Sequence, residues 1–137
     1  MADFVRVAKQ QGKGVVLWLS AMMLRTPQDT ELARQLWAAI GGGVDDVVWM
    51  DLPVVSQDPG QSLDSLLNLI LSITPREKVL IQWTHNPNLV TRDPDGTLAY
   101  IATCQERGVN RFVLLTHPFL LRQEPWATFY RALPRSP

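Results

Sequence analysis

Val79-Leu80-Ile81-Gln82-Trp83-Thr84-His85 is the stretch on which the fold turns. It is apolar almost throughout, does not alternate, and ends on a histidine. A strand reads this way when both of its faces are covered, as in a parallel sheet. Three other runs are built alike: Val15-Val16-Leu17-Trp18 leading to Ser20, Val47-Val48-Trp49 leading to Asp51, and Phe112-Val113-Leu114-Leu115-Thr116-His117. In each, a polar residue stands two positions after a large apolar one. Parallel α/β folds bind ligands at the carboxyl ends of their strands. Ser20, Asp51, His85 and His117 therefore mark where a site belongs.

Helical patterns separate the runs. Thr26 suits an N-cap, Pro27 the first helical position, and Asp29 the acid of a capping box. Leu32, Ala33, Leu36, Trp37 and Ile40 then repeat at helical spacing until Gly41-Gly42-Gly43. A second helix starts at Ser62, or near Asp58-Pro59-Gly60-Gln61, and runs to Ile73 before Thr74-Pro75. Leu63, Leu66, Leu67, Leu69, Ile70, Leu71 and Ile73 make it apolar around most of its circumference; only Ser65, Asn68 and Ser72 form a polar stripe. Such a helix needs cover on more than one side, from the chain's termini or from another subunit. A third helix is expected over 97–107, after a turn at Asp93-Pro94-Asp95-Gly96. A short amphipathic helix over 2–11, with Phe4, Val7 and Ala8 on one side, precedes the first strand. A last helix starts at Pro125 and carries Trp126, Phe129, Tyr130 and Leu133 on one stripe.

The order is thus a helix followed by strand–helix units of roughly thirty residues each. It predicts a single α/β domain over residues 1–137, with a four-stranded parallel sheet flanked by helices, flavodoxin-like in general arrangement. A (βα)4 half-barrel is the alternative. The strands are expected at 15–19, 46–51, 78–84 and 111–116.

Composition bounds the partners. The 137 residues are 46% hydrophobic and 19% charged, which argues against disorder and leaves apolar surface for a partner. A formal net charge of zero gives no pull toward nucleic acid or an anionic membrane. Acids gather at Asp29, Glu31, Asp45, Asp46, Asp51, Asp58 and Asp64, and arginines at Arg107, Arg111, Arg122, Arg131 and Arg135. They read as two solvated faces or, more sharply, as halves that associate head to tail into a homo-oligomer. The single cysteine, Cys104, permits no intramolecular disulfide and suits a reducing, cytoplasmic setting. The N-terminus lacks the basic-then-apolar pattern of a secretory signal. The longest apolar stretch, Val15 to Leu24, falls short of the ~20 residues of a membrane helix.

The chemistry depends on strand order. In order 1-2-3-4, Asp51, His85 and His117 fall on consecutive strands, which lie ~4.8 Å apart. Curved inward, that trio resembles the two-histidine, one-carboxylate set that leaves open positions on a divalent metal. Right-handed crossovers then put every helix on one face and leave the other to a partner or a second half-barrel. In order 2-1-3-4, Ser20 and His85 flank the switch between the first and third strands, a serine beside a histidine base. Asp51 then lies on the wrong side to complete a relay. Catalytic candidates are His85, His117, Asp51 and Ser20, for hydrolytic or proton-transfer chemistry or for holding a small ligand; metal candidates are Asp51, His85 and His117. Each has an ordinary role beside the chemical one: packed or capping histidines, a turn-capping aspartate, a loop serine. Trp18, Trp49, Trp83 and Leu115 are expected to form one apolar layer beneath the polar groups.

Stronger signatures are missing. Ser20-Ala21-Met22-Met23-Leu24-Arg25 contains no glycine, which excludes a Walker A loop and a dinucleotide-binding turn after the first strand. There is no Gly-x-Ser-x-Gly elbow and no zinc-type Cys/His spacing. A non-catalytic protein–protein interaction module, burying its apolar helix and the Met22-Met23-Leu24 and Phe119-Leu120-Leu121 runs against a partner, is the second expectation.

Overall fold

Each apolar run becomes a strand: β1 (Val16–Ser20), β2 (Asp46–Met50), β3 (Val79–Thr84) and β4 (Phe112–Leu115). They come from a computed structural model, which describes residues 1–84, 93–116 and 118–133. All neighbouring strands are parallel and the order is β1-β2-β3-β4, so the chain is an α/β domain with a four-stranded parallel sheet, as expected. The sequential order is the one on which the half-barrel reading rests.

Strand parity shows where the core sits. Leu17, Leu19, Val47, Trp49, Val79, Ile81 and Phe112 share one face and pack into the main apolar cluster. Helices cover that face: α1 (Ala2–Gln10), α2 (Pro27–Ile40), α3 (Leu52–Val55), α4 (Leu63–Ile73), α5 (Pro94–Glu106) and α6 (Trp126–Ala132). The opposite face carries Val16, Trp18, Val48, Leu80, Val113 and Leu115, and none of the three apolar clusters takes a side chain from it. Sequential parallel strands joined by crossovers of one hand put all helices on one side.

The expected single apolar layer is not formed. Leu19, not Trp18, lies opposite Trp49, so Trp18 faces away from the helices while Trp49 faces them. A one-residue offset in register exchanges faces. Trp83 lies on the helix side with Trp126 and Phe129, whereas Leu115, opposite Thr84, lies on the bare side.

Local chemistry explains the helix starts. The Thr26 hydroxyl accepts from the Asp29 N–H at 3.1 Å, and Ser62 from Ser65 at 3.1 Å. Asp93 accepts from Gly96 at 2.6 Å, so Asp93-Pro94-Asp95-Gly96 opens α5 rather than preceding it as a turn. Pro94 is the reason, since its fixed φ suits the first helical position. Gly41 ends α2 without a left-handed turn; a side chain there would drive into the Trp37 ring.

The apolar helix α4 needs no other subunit. Leu66, Leu67, Ile70 and Ile73 are buried against the sheet and neighbouring helices. Its polar stripe meets arginines of the same chain: Arg34 on α2 reaches Ser72 at 3.0 Å, and Arg107 after α5 reaches Asn68 and, at 3.0 Å, Asp64. The helix at the start also differs from expectation, with Val5 buried while Phe4 and Val7 stay exposed. The opposite charges do not stand apart either. Asp46 pairs with Arg111, Asp58 with Arg25 and Asp45 with Lys9, at 2.7–2.8 Å within the same chain. Among the described residues, no helix is long and apolar enough to cross a membrane.

Candidate functional site

The carboxyl ends of the strands form a polar rim. Ser20 is the last residue of β1, and Asp51 follows the last residue of β2. Their strands are neighbours, and the Ser20 Oγ donates a hydrogen bond to Asp51 Oδ2 at 2.6 Å. The same Oγ accepts from the Met22 N–H at 3.2 Å and so opens the short 3-10 turn Ala21–Leu24. The serine proton is thus committed to the carboxylate.

Asp51 reaches this place by an unusual backbone. Its φ of 61° and ψ of 10° lie in the left-handed region, the one such non-glycine conformation among the described residues. Side chains rarely sit there, though Asp and Asn tolerate it best. The residue precedes α3 and its carbonyl accepts from Val54 and Val55 N–H, yet its carboxylate caps nothing. The capping role expected of Asp51 falls to the backbone, which frees the side chain to turn to Ser20. Oδ1 is left without a partner among the described residues.

Farther along the rim, β3 contributes Gln82, which is buried, and Thr84; Gln82 Nε2 donates to Thr84 Oγ1 at 3.0 Å. Both lie on the face away from the helices. Thr116 follows β4, and burial raises the pKa of the Tyr130 phenol on α6. Each strand end therefore brings a hydroxyl or carboxylate to the same edge. Gln82 was not among the expected site residues; the signal for it in the sequence is that it alone is polar within Val79–Trp83.

His85 and His117 lie outside the described residues, and with them two members of the metal trio. Among the described residues, no three His, Cys, Asp or Glu side chains gather as a metal site. The serine–histidine pairing across the first and third strands needed order 2-1-3-4; in the observed order β2 stands between them, and Ser20 has Asp51 as its neighbour instead. Among the described residues, clefts lie away from the rim, one of about 380 Å³ between Phe4 and Val16 and one of about 460 Å³ lined by Arg25, Thr26 and Leu69. Compared with known protein families, curated protein sequences and solved structures, the chain matches none.

Proposed function

We propose that this α/β domain holds a small polar ligand at the carboxyl rim of its sheet and performs hydrolytic or proton-transfer chemistry there. The observation that carries the reading is the Ser20–Asp51 pair: a carboxylate kept on a left-handed backbone and bonded to a serine on the neighbouring strand. Backbone outliers of this kind concentrate at functional sites because surrounding structure must enforce them. Asp51 orients Ser20 and offers its second oxygen to a ligand or a divalent cation. A carboxylate alone is a weak base toward a serine, so an imidazole is needed to activate it. His85 and His117, which follow β3 and β4 in the chain, are the candidates, and with Asp51 they are the candidates to ligate a metal.

The test is hydrolysis of p-nitrophenyl acetate and p-nitrophenyl phosphate, with and without Mn²⁺ or Zn²⁺. Turnover that Ser20→Ala, Asp51→Asn and the His85→Gln/His117→Gln pair each reduce by at least about tenfold is the expected result. Absent turnover and melting unchanged by every ion would sink the catalytic and metal readings.

A second reading, a non-catalytic interaction module, is favoured by the sheet face that no apolar cluster covers. Trp18 and Leu115 are 47% and 56% exposed there. A reducing, cytoplasmic setting fits the lone buried Cys104 under either reading.

A further inference from the structure

We infer that the bare face of the sheet is an interface for a second copy of this chain, and that two copies close into one eight-stranded parallel barrel. The inference rests on the interaction reading and not on the rim chemistry.

Among the described residues, the sheet in order β1-β2-β3-β4 has two unpaired edges, β1 and β4, and all strands run one way. An unpaired edge presents a row of open backbone donors and acceptors. A two-fold axis parallel to the strands sets β4 of each copy beside β1 of the other, in parallel. That one operation pairs both edges in both copies and closes the assembly. A two-fold axis across the strands instead joins like edges or stacks the two faces, and in either case leaves edges unpaired.

On this face of the sheet, apolar exposure is greatest at the two edges, at Val16 and Trp18 on β1 and at Leu115 on β4, while Val48 on β2 and Gln82 on β3 are buried between them. Phe4 and Val7 of α1 extend the β1 patch along the cleft they share with Val16. At the amino end of the strands, Arg111 and Asp46 bridge β4 to β2 across β3 at 2.8 Å. That ion pair gives the barrel floor a polar closure. The opposite end is the rim of Ser20 and Asp51, which closure makes the mouth of a barrel.

The experiment uses the full chain in multi-angle light scattering and sedimentation equilibrium over a concentration series. A dimer is expected, and Trp18→Glu or Leu115→Glu should raise its dissociation constant on the order of 100-fold or more, since each buries an unpaired charge. Leu32→Glu, at an exposed site on α2, should leave the dimer intact and serves as control. Leu115→Glu keeps the test alive if Trp18→Glu fails to fold. Hydrogen exchange at high against low concentration should show new protection in both Val16–Ser20 and Phe112–Leu115. A monomer at all concentrations, an open polymer, a dimer indifferent to both face variants, or protection at only one edge or at neither overturns the inference. None of these results bears on the hydrolysis assays, so the two proposals fail separately.

Discussion

Asp51 adopts a conformation that a β-branched residue enters only at a cost of about 1–2 kcal/mol. Asp51→Val is therefore expected to lose at least that much stability in urea denaturation, while Asp51→Asn, equally tolerant of the left-handed region, should lose less. Equal stability of the valine variant would mean the turn is not held as described. Cys104 is buried on α5, and burial pushes its thiol up to about 12. It should resist Ellman's reagent at neutral pH in the folded protein and react once the chain is unfolded; rapid labelling of the native state would contradict that. Asp45 shows the opposite shift. The hydrogen bond from Lys9, then that from the Val15 N–H, holds its carboxyl below the usual range. A depressed folded value contributes stability above the ordinary carboxylate pKa and loses it as pH falls through the folded one. Asp45→Asn should flatten the fall in melting temperature on the acid side. An unchanged acid limb would show that the bond is not made in solution.

At the scale of elements, two contacts decide how helices sit on the sheet. The Trp49 indole on β2 donates to Thr74 Oγ1 at 3.1 Å, and that hydroxyl donates to the Ile70 carbonyl at 3.0 Å, tying a central strand to the end of α4. Thr74→Val leaves the indole N–H buried and unpaired, so a loss of about 1–3 kcal/mol is expected in chemical denaturation. At the end of α2, Gly41→Ala forces a methyl into the Trp37 ring and should cost about 1–3 kcal/mol, whereas Gly42→Ala meets open space and should not. Equal effects at the two glycines would refute the close approach. These contacts were not legible in the chain. Gly41-Gly42-Gly43 reads as a stop signal, and the pattern cannot tell that one of its glycines serves to admit a ring from the preceding turn. The caps at Thr26 and Ser62 were legible, because capping is local chemistry between residues three apart. The start of α5 was not, because Pro-Asp-Gly is both a turn sequence and a helix opening, and only the residues that follow in space decide between them.

For the whole molecule, the consequence of barrel closure is that stability depends on concentration. If the bare face buries itself against a second copy, the melting temperature should rise with protein concentration, since association stabilises only the folded state. A melting temperature constant over a hundredfold dilution series would leave that face exposed and unpartnered. The rim and the bare face share their origin in strand order. The order places Ser20 beside Asp51, and among the described residues it also leaves one side of the sheet without helices.

By itself, the chain of residues determined the element types, the parallel strands and the edge at which polar groups collect. These follow from the period of apolar residues, from caps and from the lengths between strands, all of which act over a few neighbours. Only the tertiary structure decided that the strands lie in sequence, that Trp18 and Trp49 face opposite ways, and that Asp51 turns from α3 to Ser20. Register and strand order are set by contacts between residues some thirty positions apart. No local pattern carries that information, because a strand reads the same whichever neighbour it pairs with.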